Sequence, residues 1–174
     1  LKGKKVRAMG GASTDFMELN GAGVITMPMS EVPSALETGV IEGVHTGLGG
    51  IYCMDLWDVA PYYTYTRAGG CDLFILINED IYQEFPEDVK AGIAAAGQDL
   101  EAYYIDWDNK FRVDVKADAM GRGLEWYDPP PAEIDRWCNL MDEVIVKWVL
   151  EREPDIGKEL FEIVEQVSGR KLLP

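Results

Sequence analysis

The chain has one histidine, three cysteines and no apolar run long enough to cross a bilayer. Each scarcity removes a class of function. A membrane helix needs roughly 18–20 successive apolar residues, and no stretch approaches that. A Ser–His–acid triad would have to be built on His45 alone, and there is no GxSxG turn to carry its nucleophile. Cys53, Cys71 and Cys138 lack CxxC spacing, and one His does not complete a usual zinc set. Cys53 and Cys71 are candidates for a disulfide in an oxidising compartment; three thiols packed as small apolar residues fit the same spacing equally well. There is no Walker loop and no GxGxxG after a strand. No acidic pair stands in an apolar setting that would split its pKa values. The residues therefore specify no metal, no cofactor and no catalytic group.

Positive charge is also scarce. Sixteen Lys and Arg stand against 31 Asp and Glu, a net charge of −15. Such a body repels nucleic acid and anionic membrane surfaces. An anionic ligand would have to be held by local cations against the overall field. What remains is a chain of 174 residues, 47% apolar, long enough to bury one ordinary core. It has no internal repeat and no low-complexity tract.

The stretch from Gly23 to Gly47 organises the rest. Val24 to Met29 alternates as a strand does. Ser30 is placed to cap a helix, Pro33 falls in its first turn, and Gly39 is a natural stop. Val40–Val44 reads as a second strand, followed by His45–Thr46–Gly47. Ahead of it, Val6–Met9 reads as a strand and Ala12–Asn20 as a short helix with Phe16 and Leu19 inward. Behind it come a helical pattern over Leu48–Asp58, β-prone Tyr62–Thr66 and a turn at Arg67–Gly70. Leu73–Ile77 is a continuous apolar run that suits a strand buried on both faces. Asn78 is placed to cap a short helix, Glu79–Glu84. Pro86 opens the longest pattern, from Glu87 to about Gly121, with Val89, Ile93, Leu100, Trp107, Phe111 and Val115 on one face. At 1.5 Å per residue this rod reaches about 50 Å, more than a small domain needs. Leu124–Tyr127 reads as a strand. Two amphipathic helices, Ala132–Glu153 and Pro154–Val167, end the chain, and Trp107, Trp137 and Trp148 sit on apolar helical faces as core candidates.

The run Met27–Pro28–Met29–Ser30–Glu31–Val32, continued by Ala35–Leu36 and Thr38–Gly39–Val40–Ile41–Glu42–Gly43, resembles the solute-binding subunit of tripartite ATP-independent periplasmic (TRAP) transporters, the DctP family. Lys4–Met9 stands where that family has K-I-R-V-P. The likeness continues through Asp58–Tyr63, Leu73–Asn78 and Phe85–Glu87, and so covers most of the chain. It implies an α/β, periplasmic-binding-protein-like two-lobed fold, type II-like: most of one lobe, hinge elements and a lobe-spanning helix. The implied division is 1–66 as ligand-binding lobe, 67–86 as hinge strand and crossover, 87–123 as the long helix and 124–174 as the completion of the lobe. Family members are nearly twice this length, so the resemblance implies a C-terminal part.

The resemblance also implies a site. Arg7 would form a two-pronged salt bridge with a ligand carboxylate, since a guanidinium's paired donors match its two oxygens. Thr46 stands where many relatives place an Asn, within Val44–His45–Thr46–Gly47 in place of Q-E-N-P. That departure separates it from sites for sialic acid and the usual dicarboxylates. Met29 takes a position often aromatic in relatives, with core packing as the equal alternative. His45 at a strand end is a second-rank contact with a pH-sensitive ring; a structural hydrogen bond is its ordinary role. Arg67, where relatives often have Asn, is a second cation or a partner for one of the many acids. Tyr63, Tyr65 and Asp72 lie near it.

The function implied is a periplasmic receptor that closes on a small organic acid and delivers it to the membrane subunits of a TRAP transporter. It needs no cofactor and does not insert in the membrane. A sensor domain of the same fold is the alternative, and a small-acid enzyme a more distant one.

Overall fold

The computed structural model describes residues 1–67 and 74–173. Two compact units are described, one from residues 1–67 and 123–173 and one from residues 74–122.

The first unit is built on a three-stranded parallel sheet in the order β2-β1-β3. The strands are β1 (Lys5–Ala8), β2 (Gly23–Thr26) and β3 (Gly43–Val44). Helix α1 (Ala12–Leu19) links β1 to β2, and α2 (Val32–Glu37) links β2 to β3. The registers Val6↔Val24 and Val6↔Gly43 place β1 in the centre. Successive side chains of a strand point to opposite faces. Val6 and Ala8 therefore share one face, where they pack with Phe16 and Met17 of α1, Ala22, and Met141 of α6 (Pro131–Arg152). Trp137, Leu140 and Ile145 of α6 complete that core. Arg7 projects to the other face.

The expected strand, helix, strand is present, with three local differences. Ser30 does not cap α2. A 3-10 turn over Met29–Glu31 follows Pro28, so Ser30 is already inside a turn, and no side chain caps the helix that follows. Gly39 does stop the helix, at φ 71°. The second strand shrinks to Gly43–Val44, because Ile41 is buried and its N–H folds back onto the carbonyl of Ala35 at 3.1 Å. The single helix expected over Leu48–Asp58 is broken. Helix α3 covers Leu48–Cys53, Asp55 takes a left-handed φ of 48°, and a 3-10 turn covers Leu56–Asp58. Asp is one of the few residues that tolerates that conformation. Leu19 points outward, and Met17 is buried beside Phe16 instead.

A second, two-stranded parallel sheet pairs β4 (Tyr62–Thr64) with β5 (Glu125–Tyr127). Trp126 packs on Tyr63 and Tyr65, with ring centroids at 4.4 and 5.6 Å. The last helix of this unit is α7 (Pro154–Ser168), which buries Phe161 while Ile156, Leu160 and Ile163 stay exposed.

The second unit holds α4 (Glu79–Glu84) and α5 (Glu87–Gly121). Asn78 caps α4 as expected: its Oδ1 accepts the N–H of Ile81 at 3.2 Å. Helix α5 runs 35 residues from the N-cap Pro86. Its apolar stripe is mostly uncovered, however. Val115 and Ala119 are buried, but Leu100, Tyr103 and Trp107 are exposed, so Trp107 is not a core residue here. Residues 74–77 do not form the expected buried strand. They have no regular structure, and Phe74, Ile75 and Leu76 are each more than three-quarters exposed. A strand needs a ladder partner for its N–H and C=O groups, and among the described residues no strand pairs with this run. Leu73, Cys71 and Asp72 lie outside the described residues, and with them the Cys53–Cys71 pairing and the start of the expected strand.

Candidate functional site

Four of the five expected site residues gather at the carboxyl end of the three-stranded sheet. Ligands of open α/β sheets bind at that end, where loops leave the strands. Arg7 lies at the centre, on β1, flanked by Ile25 of β2 and Val44 of β3. It is only 8% exposed. Its Nε donates to the carbonyl of Met27 at 3.1 Å, just past the end of β2. That bond fixes the plane of the guanidinium. Among the described residues no carboxylate lies within ion-pairing distance of it, although the chain holds 31 acids. A buried charge without a partner is costly.

His45 follows β3 directly. Its N–H donates to the carbonyl of Arg7 at 2.7 Å, which extends the ladder and locks it beside β1. Its Nδ1 lies 2.7 Å from the hydroxyl of Ser13 on α1. Its ring sits against Phe16, centroids 5.9 Å apart. Burial, and then the nearby Arg7 charge, hold this imidazole below its usual range, so it is neutral near pH 7.

Thr46 and Met29 meet over Gly50. A Cβ on that glycine would lie 2.6 Å from Thr46 Oγ1 and 3.2 Å from Met29 Cε. The two follow β3 and β2, the strands on either side of Arg7. One supplies a hydroxyl and the other a soft apolar surface. Arg67 is not part of this group. It is exposed at a left-handed φ of 54°, its guanidinium lies 5.2 Å over the Tyr65 ring, and its carbonyl accepts the Cys138 thiol at 3.7 Å. None of these contacts involves Arg7, Met29, His45 or Thr46. Tyr63 lines a separate, open cleft of about 350 Å³ with Trp126 and Glu125.

Sequence reasoning missed Ser13 and Gly50. Ser13 sits inside a helical pattern and carries no motif. The Gly49–Gly50 pair just after the strand end was the available signal, since glycines there permit close approach. Among the described residues no group of His, Cys, Asp and Glu is placed to hold a metal ion, and no helix is long and apolar enough to cross a membrane.

Residues 1–151 match the family of bacterial extracellular solute-binding proteins, family 7, DctP. It is a family of solute-binding proteins, not of enzymes. A solute-binding protein of Albidiferax ferrireducens is 23% identical over 142 residues, 80% of this chain and 42% of that one. The structure superposes on a TRAP periplasmic solute-binding protein of Desulfovibrio salexigens holding orotic acid, with a TM-score of 0.85 at 22% identity. That match covers 95% of this chain and 53% of the other. A Bordetella pertussis extracytoplasmic solute receptor that binds pyroglutamic acid gives a TM-score of 0.78 at 26% identity, covering 93% and 54%. The chain thus spans about half the length of the relatives it matches.

Proposed function

Because the chain belongs to family 7 of the bacterial extracellular solute-binding proteins, we propose that it carries the carboxylate-gripping part of a TRAP-type receptor for small organic acids. Arg7 is the gripping group. The observation that supports this most is its burial at the centre of the sheet end, with no acidic partner among the described residues. With Nε spent on Met27, the terminal amino groups remain to meet two carboxylate oxygens. Thr46 adds a hydroxyl for a second polar group of the ligand, and Met29 a wall for its carbon frame.

The relatives named above hold orotic acid and pyroglutamic acid, both acids of modest size, and this supports the same ligand class here. An ion pair formed only with the ligand gives the bound state a contact the free state lacks. That difference is what biases a receptor between two arrangements. The receptor acts in the periplasm and passes its acid to the membrane subunits of a transporter.

The test is calorimetry on the complete receptor with a panel of small carboxylic acids. Arg7→Ala is expected to weaken the acid that binds wild type by about 100-fold or more, the usual scale for breaking a buried charge pair. Arg7→Lys keeps the charge but loses the paired geometry, and recovers only part of the affinity. Equal affinity in wild type and Arg7→Ala overturns the assignment.

A further inference from the structure

We propose that Gly50 is a positioning residue: having no side chain, it seats the Thr46 hydroxyl beside the Arg7 end of the sheet, and the receptor thereby selects acids with a second polar atom near the carboxylate over apolar acids of the same shape. This rests on the receptor reading above.

Helix α3 carries two adjacent glycines, Gly49 and Gly50. Glycine inside a helix is unfavourable relative to alanine, and only one of the two has a steric reason to be there. A Cβ at Gly49 meets nothing within 4 Å. A Cβ at Gly50 meets Thr46 Oγ1 at 2.6 Å, Met29 Cε at 3.2 Å and Thr46 Cγ2 at 3.6 Å. The first of these is closer than atoms in contact sit, so something has to move. Helix α3 does not retreat freely, because Ile51, the next residue, is buried. Met29 is unbranched and bends aside. Thr46 is β-branched, with few rotamers, so its hydroxyl is the group that a methyl at residue 50 displaces.

Strand pairing puts this contact beside Arg7, whose partners are Ile25 on one edge and Val44 on the other. Met29 lies in the turn that follows β2, and Thr46 stands two residues past Val44. The bond from the His45 N–H to the Arg7 carbonyl carries the pairing past β3, and the His45 ring turns to the α1 side, against Ser13 and Phe16. Alternation then returns Thr46 to the face that Arg7 takes. The loops leaving both neighbours of Arg7 thus meet on one residue of α3. An acid gripped by Arg7 has its frame among these loops. A second polar atom on that frame pairs with the Thr46 hydroxyl, which both donates and accepts. An apolar frame leaves the hydroxyl unpaired, which is unfavourable.

Calorimetry on the complete receptor compares pyroglutamate, the acid bound by the Bordetella pertussis relative, with cyclopentanecarboxylate. Both carry a carboxylate on a five-membered ring, and they differ in the lactam N–H and carbonyl. Wild type is expected to favour pyroglutamate about tenfold, the scale of one net hydrogen bond. Gly50→Ala should remove most of that preference, whereas Gly49→Ala, the same change made where a Cβ has open space, keeps it. Thr46→Val deletes the hydroxyl at nearly constant shape and should abolish the preference without added bulk. In that background Gly50→Ala should leave the ratio unchanged. If Gly50 serves packing alone, Gly50→Ala weakens both acids alike and the ratio stays at its wild-type value, which overturns the inference. So does a wild type that binds the two acids equally, a wild-type ratio in Thr46→Val, or a Gly49→Ala that loses the preference as fully as Gly50→Ala. Each of those results leaves Arg7-dependent binding standing. A wild type that binds neither acid overturns the receptor reading and this inference together.

Discussion

Two short segments of this chain had opposite fates. Lys5–Ala8 reads KVRA, half of it charged, and it is the central strand of a sheet. Residues 74–77 read FILI, wholly apolar and β-prone, and they form no strand and stay exposed. Hydrophobicity does not explain the difference. β1 has a neighbour on each edge and a helix face to bury against, so its backbone groups are paired and its apolar half is covered. The apolar segment has the composition but, among the described residues, no strand to pair with. Strand propensity is largely a measure of fit to neighbours, and these two stretches show the rule from both sides.

The sharpest way to break this comparison is in the covered region. Phe16→Ala removes a ring that is 2% exposed and should cost about 3–5 kcal/mol, read by denaturant unfolding. A cost under about 1 kcal/mol would mean that the sheet's packed face is not the stable centre of this unit. Next in size is Gly50→Val. Its Cβ has no room beside Thr46 Oγ1 and Met29 Cε, and overpacking should cost about 1–3 kcal/mol and weaken acid binding with it. Stability and affinity both at wild-type level would show that Thr46 and Met29 do not close on that glycine.

A smaller effect comes from His45. Its folded-state pKa is depressed, first by burial, so on acidification the unfolded chain binds a proton before the folded one does. Stability should therefore fall as pH drops through about 6.5 and level off below the folded value. The exposed acids with lowered pKa act at lower pH, so the window belongs to the imidazole. His45→Gln should remove the slope in that window; a slope that persists points to another group. Smallest of all is Leu76→Ser, at a residue 87% exposed, expected within about 0.5 kcal/mol of wild type. A large loss there would show that residues 74–77 are covered in solution, and the contrast would collapse.

Much of this was legible in the sequence because it rests on local chemistry. Gly39 stops α2 with the left-handed φ that glycine permits, and Asn78 caps α4 through the bond its amide oxygen offers. The order of strand, helix and strand, and the placing of Arg7, Met29, His45 and Thr46 at one sheet end, followed from pattern and from family resemblance. What was not legible depends on distant residues. Ser13 matters only because folding brings it 2.7 Å from a side chain 32 residues away. The break at Asp55 and the exposure of the α5 stripe reflect what surrounds them, not the residues alone. Arg67 shares a residue type with Arg7, but only contacts tell them apart.

Helix α5 has one further consequence. Its two buried side chains, Val115 and Ala119, lie in its last two turns, and most of the rest is held by its own backbone and by near-neighbour pairs such as Arg112 with Asp108 at 2.7 Å. Such a rod is buried at one tip and self-supporting elsewhere. Its amides should therefore trade hydrogen for deuterium along a gradient, quickest towards Glu87 and slowest around Val115, like a rope fraying away from its knot.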